Sequence, residues 1–278
     1  MRKSLLATAV ATALAAPGPA VADAPQPPYT LTANVSVVTD YRFRGITQTF
    51  GEPAIQGGVD FAHSSGFYLG NWNSNVSETA GYPGGNLEMD FYGGWRRSWG
   101  DWGMDAGLYY YYYPGSNVAG AGAMGPLVNP HSTATNSGTV HNIEGYIAGS
   151  WKFLSLKYSR AFTDYFLVPD TKGTGYLDLS ANYDLGGGWG VNGHVGHLTV
   201  HNFSEATYTD YRLGVTKDLG SGWTAAGSLI ATNARDDCSA ADVVTGGEPY
   251  CFSKPDGGGV KTYRGGKNAV VLSIGKTF

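Results

Sequence analysis

The lengths of the connections constrain this chain more than any single motif does. Segments whose polarity alternates residue by residue are joined by stretches of about two to five residues and then by stretches of roughly seven to thirty-five, in strict turn. Twelve segments read as strands, near 30–39, 54–62, 67–76, 87–96, 102–113, 140–151, 154–161, 175–185, 189–199, 207–217, 223–232 and 267–278. The short connections follow the even-numbered strands, and the long ones, rich in Pro, Gly, Asn, Ser and Thr, follow the odd-numbered ones and would face outside. A bilayer accepts strands only where every backbone group pairs within a closed sheet, and such barrels carry tight turns at one end and long loops at the other. The expected fold is all-β: a transmembrane antiparallel up-and-down β-barrel of twelve strands, closed by a last strand that ends on Phe278.

The beginning of the chain fits export. Arg2 and Lys3 precede an apolar run from Leu5 to Ala16 and the small triplet Ala20-Val21-Ala22, the grammar of a cleaved secretory signal. The expected organisation is a signal peptide over 1–22 and an outer-membrane barrel over 23–278. Without Arg2 and Lys3, 16 basic residues face 22 acidic ones, a net charge of −6 that offers nothing to nucleic acid. Beyond the signal, no apolar stretch approaches the roughly twenty residues of a membrane helix, so any crossing falls to strands. The 42 glycines, 19 tyrosines and 7 tryptophans suit tight turns and interfacial rings, although a soluble secreted β-sandwich could share that composition. Cys238 and Cys251, thirteen positions apart in one polar loop, read as an intraloop disulfide formed in the periplasm, with two free thiols as the other reading.

Alternation gives each strand a lipid face and a lumen face. Leu31, Ala33, Val35 and Val37 fall outward in the first strand, Leu87, Met89, Phe91 and Trp95 in the fourth, and Val270, Leu272, Ile274 and Phe278 in the last. Tyr41, Phe43, Trp72, Trp95, Trp102, Tyr112, Trp151, Trp189, Tyr211 and Trp223 lie near expected rims, where rings with one polar edge settle at headgroup level. The opposite parity carries the charges: nine acids, Asp40, Asp60, Glu88, Asp90, Asp105, Glu144, Asp178, Asp184 and Asp210, against five bases, Arg42, Arg44, Arg96, Lys157 and Arg212. Near the midplane a lipid-facing Arg or Lys costs roughly 2–4 kcal/mol, so charges gathered on one parity imply a wet interior.

Asp40-Tyr41-Arg42-Phe43-Arg44-Gly45-Ile46-Thr47-Gln48, followed by Pro53-Ala54-Ile55-Gln56-Gly57-Gly58-Val59-Asp60 and Gly66-Phe67-Tyr68-Leu69-Gly70-Asn71-Trp72, resembles the amino-terminal signature of the TorF-type porin family, formerly grouped as a bacterial family of unknown function. The distinctive part covers about residues 34 to 76. The resemblance implies an outer-membrane porin, without a substrate or functional residues to carry over. The last strand is also similar to the targeting signal by which the barrel-assembly machinery recognises such proteins, with Phe278 last and Lys276 departing from the usual apolar pattern.

The expected function is a porin of the bacterial outer membrane that passes small hydrophilic solutes or ions. Its acidic excess raises the local concentration of cations and gives a weak cation preference. Arg42 and Arg44 share one parity and would point inward near the outer mouth: either a basic rung facing an acidic wall, or two bases paired with acids such as Asp60 and Glu88. Twelve strands about 4.8 Å apart and tilted roughly 40° give a backbone diameter of roughly 24 Å, so inward tyrosines and a folded-in segment from Pro114 to Thr139 could close the lumen. A closed barrel whose outer loops bind a partner is the alternative. A lipid-modifying enzyme ranks lower: His131-Ser132 lies in a Ser/Thr-rich loop, His63-Ser64-Ser65 forms a periplasmic turn, His194, His197 and His201 have no nucleophile at a fixed strand offset, and the six histidines form no metal motif. No cofactor is expected, and the expected partners are outer-membrane lipids, the solutes or ions, and the assembly machinery. A solvated surface position is the default reading for each histidine.

Overall fold

The computed structural model describes residues 27–119, 129–242 and 245–278. The signal expected over 1–22 and the centre of the 114–139 loop lie outside these residues. Sixteen strands are present, in chain order β1 (Tyr29–Val38), β2 (Arg42–Phe43), β3 (Ile46–Thr47), β4 (Ala54–His63), β5 (Phe67–Asn75), β6 (Leu87–Trp99), β7 (Trp102–Tyr112), β8 (His141–Trp151), β9 (Leu154–Ala161), β10 (Gly175–Gly186), β11 (Trp189–Thr199), β12 (Tyr208–Gly220), β13 (Trp223–Thr232), β14 (Cys251–Asp256), β15 (Gly259–Arg264) and β16 (Ala269–Thr277). Twelve of them close one antiparallel barrel, each strand beside its neighbour in sequence apart from the two short hairpins β2–β3 and β14–β15. Short 3-10 turns at Glu78–Ala80, Tyr165–Leu167 and Ser204–Ala206 interrupt the outer loops.

Closure is made by the carboxyl end. β16 pairs with β1 from Val38↔Ser273 to Asn34↔Thr277, and the Phe278 amide donates to the Ala33 carbonyl at 2.8 Å. No sheet edge is then left to meet lipid, the condition a strand-built membrane span must satisfy. The five connections at this end are tight, and Lys152 and Ser221, the latter between Gly220 and Gly222, take left-handed backbone there.

The outside of the wall is apolar. Leu31, Ile55, Leu69, Leu213, Leu229 and Val270 are each more than half exposed, as are many of their same-face neighbours. In water this would be a continuous adhesive patch; in a bilayer it is the lipid belt. Its inner margin carries Trp99, Trp102, Trp151, Trp189 and Trp223, all exposed. Lysines stand over these rings: Lys152 over Trp151 at 4.8 Å, Lys217 over Trp189 at 4.9 Å, and Lys276 over both Trp223 and Phe278 at 5.3 and 5.0 Å. Lys276 therefore occupies an outward rim position, its stem on aromatic surface and its charge at the headgroups. A closed barrel with an apolar belt and an aromatic girdle is an outer-membrane protein of the porin kind.

The rim reading fails at three aromatics. Tyr41, Phe43 and Trp72 lie inside the outer mouth, where Tyr41 meets Trp72 edge to face at 5.5 Å and Phe43 meets Tyr111 at the same distance. Phe67 and Leu69 take the lipid side of β5, so the pleat sends Trp72 to the lumen. Cys238 and Cys251 are bonded, their Cα atoms 5.2 Å apart, and tie the β14–β15 hairpin to the start of its loop.

Candidate functional site in the lumen and its outer cap

The segment from Asp40 to Phe50 is not a continuation of the wall. Arg42–Phe43 and Ile46–Thr47 pair as a hairpin whose two-residue turn, Arg44-Gly45, has φ of 47° and 80°. Two positive φ values make a turn whose twist suits a tight hairpin, and glycine takes the second at little cost. Gly45 has a second reason to be glycine, since a Cβ there would lie 2.8 Å from the Asp210 Cβ on β12. The hairpin leaves the end of β1, folds into the barrel and reaches the far wall.

Its two arginines fix it at root and tip. Arg42 Nε donates to Asp40 Oδ2 at 2.5 Å, and its Nη1 donates to the carbonyls of Gly45, Gly265 and Lys267 at 3.1, 3.2 and 2.9 Å. Asp40 Oδ1 accepts from Thr47 and Thr49 hydroxyls at 2.6 and 3.2 Å, closing the base of the loop. At the tip, Arg44 Nη2 donates to Glu144 Oε2 on β8 at 2.7 Å and Nη1 to the Tyr165 hydroxyl at 2.9 Å, while the guanidinium stacks 4.2 Å from the Tyr176 ring. The side chains of Arg44 and Glu144 are 7 % and 4 % exposed, so this is a buried, charge-assisted pair. Both arginines are therefore paired, but with Asp40 and Glu144 rather than Asp60 and Glu88, and neither stands on a barrel strand. The 40–53 loop turns inward, contrary to the expectation that it faces outside.

The rest of the cap is packed around this hairpin. Phe166, held in left-handed backbone at φ 50°, touches Phe43, Tyr111, Tyr113 and Tyr165 and joins two hydrophobic clusters. One cluster gathers Ile46, Tyr176, Leu198, Phe203 and Tyr208; the other gathers Tyr41, Trp72, Tyr82, Tyr111 and Tyr113. The segment from 114 to 139, expected as the plug, contributes at its described ends: Val118 packs on the second cluster and Asn136 bonds to Asp164 at 2.9 Å.

Below the cap the remaining assigned residues lie on the inward parity of their strands. Tyr92 donates to Asp60 at 2.6 Å, and Tyr68 to Asp105 at 2.7 Å, with Tyr146 bonded to Tyr68. Arg96 stands 4.9 Å from the Tyr68 ring and Lys157 5.7 Å from that of Tyr146. Sequence reasoning missed His194. It is not a solvated surface side chain: Nδ1 lies 2.9 Å from Asp178 and Nε2 2.6 Å from Asp210, with Arg212 beside it in register. Two carboxylates on β10 and β12, at the same parity as a histidine on the strand between them, were the available signal. Glu88 and Asp90 are buried on β6, and Asp184 faces inward nearer the inner end. Nearer the inner end Ser150, Ser155, Asn182 and Asn192 share the inward parity, as do Ser228 at mid-strand and Ser36 and Gln56 toward the outer end.

The Ser and His pairs of the loops assemble no triad. His131 bonds to Glu205 at 2.9 Å and Ser132 to Asp170, so that pair is split. At the inner turn His63 Nδ1 lies 2.7 Å from the Ser65 hydroxyl and also accepts from the Ser65 amide, a local turn contact.

Solved porins share this architecture. A KdgM porin superposes with a TM-score of 0.50 at 6 % identity, over 89 % of this chain and 98 % of its own. A KdgM porin in complex with disordered oligogalacturonate gives the same score and identity over 90 % and 99 %. A NanC porin gives 0.50 at 8 % identity, over 90 % and 99 %. At these identities the likeness is one of fold. No curated protein matches the sequence. The family described as "Bacterial protein of unknown function (Gcw_chp)" matches residues 22–252, in agreement with the resemblance carried by residues 34 to 76, and the chain belongs to that family.

Proposed function

We propose that this barrel is a passive diffusion channel for small hydrophilic solutes or ions, narrowed at its outer end and weakly selective for cations. The observation that carries the reading is the charge left in the lumen. Outside the Arg42–Asp40 and Arg44–Glu144 pairs, seven assigned carboxylates, two of them held by His194, stand against three bases, Arg96, Lys157 and Arg212. An acidic excess along a low-dielectric wall concentrates cations, and the interrupting bases keep the preference weak. The oligogalacturonate of the KdgM complex is itself polyanionic, so cargo of that kind would be repelled here. Export through the 1–22 signal and recognition of the strand ending in Phe278 by the assembly machinery belong to the same proposal, as does the pore-lining role of the residues named.

The test is single-channel current from protein refolded into a planar bilayer, with reversal potential under a salt gradient. Discrete steps with a cation preference that falls when Asp60, Glu88 and Asp90 are neutralised are the expected result. Inserted but silent protein would favour a second reading, a closed barrel whose outer loops bind a partner. That reading has its own support in the cap, where Tyr113, Phe203 and Leu198 are each 1 % exposed.

A further inference from the structure

Glu88 and Asp90 are two residues apart on β6 and share its inward face. They are 0 % and 3 % exposed; Asp90 Oδ1 has no hydrogen-bond partner, and the oxygens of Glu88 have only the Tyr41 and Tyr113 hydroxyls within reach. Burying charged oxygens without partners is among the costliest arrangements a fold can hold, so something must compensate them. No protein cation does so. The charged groups that act on Asp90 are Glu88 and Glu144, both acids, and Glu144 is already committed to Arg44. What surrounds the pair instead is neutral oxygen: Tyr41 and Tyr113 hydroxyls are turned toward Glu88, and Ser74 lies directly across from it in register on β5.

We propose that Glu88 and Asp90 form a binding site for a small hard cation, divalent by charge balance and of the Ca²⁺ or Mg²⁺ type. Two carboxylates supply up to four oxygens and cancel two positive charges, and hydroxyl oxygens complete a set that oxygen-preferring cations accept. Soft metals would prefer the nitrogen and sulfur ligands that are missing from this corner. The site sits at the outer end of β6, beside Tyr41 at the root of the inward hairpin, so a bound ion ties that root to the wall. This inference concerns binding and does not rest on conduction.

The experiment uses the chain refolded into detergent micelles and stripped with a chelator. CaCl₂ and MgCl₂ are titrated by calorimetry while the thermal unfolding midpoint is followed. Wild type should take up one ion per chain saturably, with a rise in midpoint. Both effects should vanish in Glu88→Gln/Asp90→Asn, and Asp90→Asn alone should weaken binding at least tenfold. Asp242→Asn, in an exposed loop, should bind as wild type does. Heat-modifiable gel mobility establishes that each variant is folded. Wild type that takes up no ion overturns the site, and so does saturable binding in Glu88→Gln/Asp90→Asn or wild-type affinity in Asp90→Asn, because the ion would then be held elsewhere.

Discussion

The two ends of the lumen solve different problems with different residues. At the outer end, rings, an inward hairpin and buried charges pack as densely as the core of a soluble domain, with Ala54, Val140, Glu88 and Asn142 all 0 % exposed. At the inner end the same strands turn mainly Ser, Thr and Asn inward. The wall itself needs no core, because backbone hydrogen bonds close it and the bilayer buries its outer face. Side-chain packing is therefore free to concentrate at the outer end, where the proposed channel would select what passes. Selectivity, ion pairing and tertiary stability should all respond to changes at the outer end and be nearly indifferent to changes at the inner one.

The largest expected effect comes from removing the hairpin. Replacing residues 41–50 with a short Gly-Ser link takes away the ring of Phe43, the Arg44 clamp and the Gly45 contact with β12 in one step. If the outer end sets the resistance of the channel, conductance should rise several-fold in planar bilayers, and cation preference should change with it because the Arg44–Glu144 pair opens. Unchanged conductance in a folded, inserted variant would show that the hairpin is not the constriction.

Arg44→Ala asks a narrower question about the same end. It strands Glu144 in a site 4 % exposed, still bonded only to Asn142 at 3.0 Å. Breaking one side of a buried ion pair costs about 3–5 kcal/mol, because the remaining charge is left uncompensated. Denaturant titration of the refolded protein should show a loss of that size, and Arg44→Gln, which keeps donors near the carboxylate, should lose less. A loss below about 1 kcal/mol, the range of exposed pairs, would mean that water reaches Glu144 and the cap is looser than its packing suggests.

The contrast between the ends also explains what the sequence could show. The wall was legible because lipid enforces a period of two over every crossing, and β13 falls on the expected 223–232 while β6 runs three residues past its expected end. The loops obey no such period. Asp40, Arg42 and Arg44 alternate with Tyr41 and Phe43 as a wall strand would, yet the segment turns back at Arg44-Gly45, and only the left-handed pair of residues there marks the difference. Trp72 was misplaced for a different reason: indole at a strand end was weighed as a rim anchor, although the parity set by Phe67 and Leu69 already sent it inward. The Asp178–His194–Asp210 clamp needs the register of β10, β11 and β12, which alternation alone leaves undetermined by whole pairs of residues.

The smallest expected effect is at the inner end and completes the contrast. Ser155 on β9, just past the tight inner turn, faces inward between Ser150 of β8 and Ser180 of β10, a stretch of wall built from small side chains. Ser155→Tyr would place a ring in a section whose backbone diameter is roughly 24 Å by strand count and tilt. Resistances along a channel add, so narrowing a wide section changes the total little while a tighter section persists above it. Conductance should fall by only a small fraction, and reversal potential should stay at the wild-type value because no charge is altered. In the hairpin-deleted background the same substitution should matter more, since the outer resistance would no longer mask it. A strong block by Ser155→Tyr in the otherwise intact protein would place the constriction at the inner end and invert the assignment of the two halves.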